Sequence, residues 1–378
     1  MLQKVSIQNF MSLKDVTLEL QKVNLLIGPN NSGKSNFLKA LEKYSILGSN
    51  PQSADLVLKL EDYYSKLPYN EIVFNFSLID TEQFERNHII AFEYLSNKSK
   101  LSKWIFSVND NYNNAFDDDE KKIERNEIIS KKNYPLFKNI FHNLIIYKPD
   151  PNSFQKPFPI LPNQLLINFN ASNLVAFFDA LRDEYPENYK AIENDLHKCI
   201  PELSGLRFEN IEINKYDDLF KIYGDKTFKR LGLYDKNKKI TYWADELSEG
   251  TLYFLALLCI VHQPNPPKLL LLEEPEKGIH PRRIKEVLDF IFQLAEDKDI
   301  QVIMTTHSER VLDEFEDIPE AVFIFDKDEE GATQVKNLLK DVIEPSDKKM
   351  EEKGLPKIKF TDSLGSHWVT GFIGGVPR

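Results

Sequence analysis

The chain has 378 residues, enough for one large domain or two small ones around a substantial core. Its 42% hydrophobic and 28% charged content is that of a soluble globular protein. A net charge of −11 argues against a whole-molecule electrostatic grip on DNA or an anionic membrane, and leaves room only for a local basic stripe.

The N-terminal MLQKVSIQNF lacks the apolar core of a signal peptide. Residues 2 to 27 predict strands. KVSIQNF and VTLEL alternate, and VNLLIG is a continuous apolar run of the kind that suits a central strand covered on both faces. Residues 35 to 47 predict a helix, with Phe37, Leu38 and Leu41 at helical spacing. From 70 to 150, strand-like runs (EIVFNFSLI, NLIIY) flank the acidic stretch NDNYNNAFDDDEKKIERNEIISKK, which predicts a loop and a solvated helix. The prolines of 148 to 163 predict an extended connection. Two helices interrupted near Pro186 and two strands, GLRFENIEIN and KKITYWADEL, follow.

From Ser248 the α/β pattern returns. A buried helix is expected over 252 to 262, and its apolar run, Leu252 to Val261, is about half the length of a membrane span. Then come the strand KLLLLEE, a helix over 283 to 295, the strand IQVIMTT, a helix over 308 to 316 and the strand AVFIF. Strands alternating with helices imply a mostly parallel sheet with right-handed crossovers. The expected organisation is an α/β core from 1–85 and 263–345, an inserted mixed α/β to helical lobe over 86–262, and a tail, 346–378, packed on the core. Cys199 and Cys259 fit no metal spacing and suggest a reduced, cytoplasmic protein.

Gly28-Pro29-Asn30-Asn31-Ser32-Gly33-Lys34-Ser35 satisfies every required position of the phosphate-loop pattern, and it lies between a strand and a helix. Glycines let successive N–H groups turn inward as an anion nest, and the following helix adds its own unsatisfied N–H groups. Lys34 would face the β- and γ-phosphates of a nucleotide, and the Ser35 hydroxyl would ligate Mg²⁺. Glu273 and Glu274 end the four-leucine strand. Ligands bind at the carboxyl ends of strands in open α/β sheets, so both carboxylates could reach the phosphates. Glu273 would hold the metal shell, and Glu274 would orient or deprotonate the attacking water. The same pair would suit a helix N-terminus before a proline; beside a phosphate loop the catalytic roles are favoured. His307 ends the next strand, where a neutral imidazole could reach the γ-phosphate or the water. Ser248 is a good N-cap, and Ser248-Glu249-Gly250 would also serve as an anion site for a second nucleotide. Asp326 and Asp328 form a D-x-D pattern whose favoured reading is a solvated strand end.

GPNNSGKS, LSEGT, LLLLEEPE and TTHS together resemble the ABC-type P-loop NTPase heads of the SMC/RecF-like group. EEPEKGIHP, with the tail LGSHWVTGFIGGVP, resembles bacterial AAA-type ATPases related to the OLD family. The resemblance covers about residues 1 to 45 and 245 to 310. It implies ATP and Mg²⁺ as cofactors. Asn30, Asn31, Ser32, Gly33, Lys34, Ser35 and Asn36 would bind ATP, and Ser35 and Glu273 the metal. Glu274, His307 and Lys34 would be catalytic. Ser248 and Gly250 would contact the γ-phosphate held by the other protomer of an ATP-sandwiched homodimer. Gln155 is the candidate Q-loop residue. About 210 residues without sustained heptads separate the phosphate loop from LSEGT, which excludes a long SMC-type coiled-coil arm.

Fewer than about 75 residues follow His307, too few for the Toprim nuclease domain usual in OLD-type proteins. A separate nuclease subunit is therefore expected as partner. The acidic chain alone should hold DNA only weakly, and no membrane is involved. The favoured function is an ATP-gated dimer that controls a nuclease or a DNA transaction in anti-phage defence. A DNA-repair or chromosome-maintenance ATPase, and more remotely a transporter subunit, are the alternatives.

Overall fold

A computed structural model describes residues 1–49, 62, 71–79, 85–95, 100–108, 111–115, 140–142, 144–214, 218–356 and 363–376. The chain forms two units. One comprises Met1–Ile146, Lys268–Glu274 and Leu288–Arg378; the other comprises Tyr147–Pro267 and Pro275–Val287.

The first unit holds two sheets. The outer sheet is antiparallel and contains β1 (Leu2–Phe10), β2 (Leu13–Glu19), β4 (Glu71–Ile79), β5 (Glu85–Leu95), β6 (Lys100–Val108) and β7 (Asn111–Ala115), in the order β2-β1-β4-β5-β6-β7. Val5 and Ile7 alternate onto the buried face of β1; a register irregularity between Leu2 and Lys4 and the left-handed φ of Asn9, 60°, accompany the burial of Leu2 and Phe10 at its ends. The inner sheet is built on β3 (Val23–Ile27), whose five residues are buried as a continuous apolar run predicts. Five of its six strands run in the order β11-β10-β3-β9-β8, with β8 at Leu269–Glu273, β9 at Gln301–Thr305, β10 at Val322–Lys327 and β11 at Thr333–Asn337. Among these five strands only β11 runs antiparallel to its neighbour.

Helix α1 (Lys34–Ser49) follows β3 directly. It buries Phe37, Leu38, Leu41 and Tyr44 in one core with Phe10, Phe74 and Phe76. Tyr44 lies 4.1 Å from Phe76 and 4.6 Å from Phe141, ring centre to ring centre. Truncating one such buried ring costs about 3–5 kcal/mol. Gln301, also buried, ties the two sheets together. Its amide accepts from Leu2 N (2.9 Å) and donates to Leu2 O and Gln21 O (2.8 Å each).

In the second unit an antiparallel sheet joins Leu203–Ile211, Phe228–Asp235 and Ile240–Trp243. Helices Leu174–Glu184 and Pro186–Cys199 meet at Pro186, which occupies the first turn of the second. The helix Glu249–Val261 is buried at every position from Gly250 onward. His262 caps its end and bonds Asp195 at 2.8 Å.

Three expectations change in detail. Pro151–Phe154 is a helical turn, not extended chain, because Asp150 accepts from Asn152 N and Ser153 Oγ. Asn111–Ala115, expected in a loop, is a strand; the backbone of β6 supplies its partners. The rest of the acidic stretch, 109–110 and 116–132, lies outside the described residues. The helix expected over 308 to 316 is shorter, Glu309–Asp313. Among the described residues no helix is long and apolar enough to cross a membrane.

Candidate active site

The carboxyl ends of β3, β8 and β9 come together in the first unit, and each carries a piece of the site. β3 runs into the loop Gly28–Gly33, and α1 begins at Lys34. The loop takes this path only because Gly28 and Gly33 have no side chain. Their φ angles are 142° and 109°. A methyl group at Gly28 would lie 2.2 Å from Phe325 O, and one at Gly33 would lie 2.1 Å from Thr333 Oγ1. Asn31 also has a left-handed φ, 66°, a conformation Asn tolerates.

The loop is braced from outside by a relay of hydrogen bonds. Asn36 Nδ2 donates to Ser12 Oγ (2.9 Å), which contacts Thr333 Oγ1 at 2.7 Å, and Thr333 Oγ1 donates to Ser32 O at 2.9 Å. The hairpin after β1 and strand β11 thus hold the loop. Asn36, read from sequence as a nucleotide contact, has its side chain engaged in this brace. Asn30 and Asn31 are exposed, and Ser32 is buried.

Lys34 is 5% exposed, and its ammonium folds back on the loop. It donates to Gly28 O at 2.8 Å and Pro29 O at 2.9 Å, with Ser32 Oγ at 3.5 Å. Burial lowers its pKa to about 8, against the opposing pull of Glu274 and then Glu273. A buried ammonium held by neutral carbonyls at an N–H-lined turn suits an anionic ligand.

Ser35 Oγ donates to Glu273 Oε1 at 2.7 Å. Adjacent ligands of an octahedral Mg²⁺ stand about 3 Å apart, so this pair fits two neighbouring positions of that ion. One carboxylate and one hydroxyl leave most positions for water and phosphate oxygens, which is how Mg²⁺ is usually bound with nucleotides.

Glu274 has φ 50°, uncommon for a residue with a side chain. Its N–H donates to Thr305 O (3.1 Å), so the backbone is pinned to the end of β9. Thr306 N in turn donates to Leu26 O at 3.1 Å. These two bonds put Glu274 and His307 at the same end of the sheet, with His307 Nε2 3.8 Å from Glu274 Oε1.

Ser248 and Gly250 belong to the second unit. Ser248 caps its own helix by accepting from Thr251 N (3.2 Å), and its hydroxyl lies 2.8 Å from Thr251 Oγ1. Arg283 Nη1 approaches Ser248 Oγ at 3.5 Å, and a methyl group at Gly250 would lie 3.5 Å from Arg283 Cδ. Sequence reasoning missed Arg283; its place one turn after the IHP segment gave no local signal. It also missed Ser12 and Thr333. Gln155 lies in the second unit at the end of the turn Pro151–Phe154. Asp328 is occupied as a turn cap: it accepts from Glu330 N, Ala332 N and Gln334 Nε2.

Residues 23–313 match the family described as "AAA domain, putative AbiEii toxin, Type IV TA system". Among curated proteins none matches. Two solved structures are similar across nearly their whole length. The SMC head bound to the C-winged helix domain of ScpA is 14% identical, with TM-score 0.52, covering 89% of this chain and 97% of that one. The Smc head with an extended coiled coil bound to the C-terminal domain of ScpA, from Pyrococcus furiosus, is 15% identical, with TM-score 0.51, covering 93% and 99%. The fold is thus that of an ABC-type P-loop ATPase head: mixed α/β, with a largely parallel sheet.

Proposed function

Because this chain belongs to the AAA-domain family whose description names the AbiEii toxin of a type IV toxin–antitoxin system, we propose that it binds and hydrolyses ATP and that the cycle controls a partner. Two side-chain pairs at one end of the sheet carry the reading. Ser35 and Glu273 stand 2.7 Å apart beside the phosphate loop, and Glu274 and His307 stand 3.8 Å apart at the same end of the sheet.

The residues divide the work. The loop N–H groups and the first turn of α1 bind the phosphates, and Asn30, Asn31, Ser32 and Gly33 shape that nest. Lys34 exchanges the carbonyls of Gly28 and Pro29 for phosphate oxygens. Ser35 and Glu273 hold Mg²⁺, which supplies positive charge to the phosphate oxygens when bound. Glu274 accepts the proton of the attacking water, and His307 orients the carboxylate and the water. The strained backbone of Glu274 fits that role, since such strain gathers at sites where a side chain must be aimed.

Ser248 and Gly250, with Arg283 beside them, would engage the γ-phosphate held by a second copy. ATP then favours a closed dimer because it contacts both chains only there. The controlled partner is a separate nuclease subunit, acting in anti-phage defence in the cytoplasm. Turnover by the purified protein, lost in Lys34→Ala, tests the ATPase. Mass measurement with and without ATP tests the dimer. Co-purification with the products of neighbouring genes tests the partner, and a neighbourhood with no nuclease would overturn that part.

A second reading, direct DNA binding, is favoured by one local feature. Between Lys226 and Trp243 the chain carries Lys226, Lys229, Arg230, Lys236, Lys238 and Lys239 against the single acid Asp235 of that stretch, with Lys229 and Arg230 also paired to Asp179 and Glu209. DNA-stimulated turnover with a steep salt dependence would support it.

A further inference from the structure

The C-terminal segment from Leu364 to Val376 has no part in the site as described so far, yet it touches that site at two ends. Its helix, Leu364–Val369, begins against the helix that starts two residues after His307. Gly365 N donates to Asp313 Oδ1 at 2.7 Å, and a methyl group at Gly365 would lie 2.6 Å from Glu309 O. The two backbones are therefore in direct contact.

The far end reaches the phosphate loop. Trp368 is 6% exposed, and its indole N–H donates to Gly375 O at 3.0 Å. That bond folds the last turn back on itself. Gly375 has φ 68°, and a methyl group there would lie 2.6 Å from Ile324 Cγ2 and 3.6 Å from Gly28 Cα. Gly28 is already closed in on its other side by Phe325 O. Its own carbonyl is one of the two that hold the Lys34 ammonium. Loop, lysine, tail and the segment after His307 thus form one chain of contacts within the first unit.

We propose that Leu364–Val376 is a positioning strap of the nucleotide site, with Trp368 and Gly375 fixing the place of Gly28 and hence of Lys34, and with Gly365 and Asp313 tying the same strap to the switch-histidine segment. The inference rests on the ATP-binding reading above. A methyl group at Gly375 would meet Gly28 Cα only at ordinary contact distance, 3.6 Å, and would clash with Ile324 Cγ2 at 2.6 Å. Ile324 is paired with Ile27, the residue before Gly28, so the displacement reaches the loop through that strand and falls first on nucleotide affinity. Loss of the Asp313 tie falls on turnover, because it frees the helix that follows His307.

A glycine of the same unit outside the strap supplies the control. Gly354 has φ 66°, so alanine strains the backbone there as at Gly375, but nothing lies within 4 Å of the added methyl group. The experiment measures binding of a fluorescent ADP, turnover at saturating ATP, and thermal unfolding, all on the full chain. Gly375→Ala should weaken ADP binding about tenfold or more, the scale of overpacking a tight contact. Trp368→Phe, which keeps an aromatic ring and loses the donor, should weaken it about fivefold. Gly354→Ala should stay within about twofold of the unsubstituted protein, because its methyl group meets only open space and the residue lies outside the strap. Asp313→Ala should lower kcat with little change in ADP binding. A purely architectural tail would lower the melting temperature of the Gly375, Trp368 and Asp313 variants and leave ADP affinity unchanged well below melting; that result overturns the proposal. So does equal weakening by Gly354→Ala and Gly375→Ala. If Gly375→Ala does not fold, unchanged ADP binding by Trp368→Phe overturns it equally. No ADP binding by the unsubstituted protein overturns the ATP-binding reading and the strap with it.

Discussion

Ser35 Oγ donates to Glu273 Oε1 at 2.7 Å, joining the first turn of α1 to the last residue of β8 across 238 positions of sequence. The bond gives each residue a partner within one metal coordination sphere. Glu273→Ala should therefore raise the Mg²⁺ concentration for half-maximal turnover by about tenfold or more, at least the loss seen when a residue supporting a metal site is removed. Metal-free ADP binding should change little. A Mg²⁺ titration of turnover, with EDTA as the zero point, checks this. An unchanged half-saturation point would remove Glu273 from the metal.

Glu274→Gln keeps the shape of the side chain and its place beside His307 but cannot take a proton. Turnover should fall by about 10²-fold or more, the usual contribution of a positioned base. ATP should still bind, and the closed dimer should accumulate. Single-turnover kinetics and mass measurement with ATP read both effects, and normal turnover would dismiss Glu274 as the base.

Thr333 illustrates a residue that acts from outside. Its hydroxyl is buried, donates to Ser32 O and meets Ser12 Oγ. Thr333→Val keeps the volume and leaves both partners short of a hydrogen bond, which costs about 1–3 kcal/mol for a buried polar group. Urea unfolding should show that loss. Addition of Mg-ATP should recover part of it, since nucleotide binds only the folded loop.

The contrast between Thr333 and Ser35 explains what the sequence could and could not reveal. GPNNSGKS and LLLLEE are legible because each is a short run whose residue types answer a local demand: glycines for a curled backbone, leucines for a strand covered on both faces. Their convergence follows from parallel α/β topology, which brings strand ends to one side. Ser12 with Thr333, and Gly28 with Gly375, are contacts across more than 300 residues. No period or composition marks them, and the polar atoms of Ser12 and Thr333 look like ordinary surface hydroxyls in sequence. β7 was missed for a related reason. Asn111–Ala115 lacks strand character, and its order comes from the neighbouring backbone of β6.

Lys34 gives the site a pH signature. Its ordinary value of 10.5 is lowered to about 8 by burial, so the folded protein without ligand releases this proton earlier than the unfolded chain does. Between pH 8 and 10.5 the unfolded state holds more protons, and folding stability should rise with pH across that window. Nucleotide binding runs the other way. Phosphate oxygens favour the ammonium, so binding above about pH 8 must restore the proton. Affinity should then fall with pH by at most about tenfold per unit, the limit for one coupled proton. Below that pH the lysine is already charged and contributes no uptake. Titration calorimetry of ADP at pH 7 and pH 9, in two buffers of different ionisation enthalpy, separates the cases. Heats that depend on the buffer at pH 9 by up to one proton, with a much smaller dependence at pH 7, are expected. Equal proton uptake at both values would mean that Lys34 does not shed its charge in the ligand-free protein, and the parked geometry on Gly28 O and Pro29 O would then hold a permanent cation.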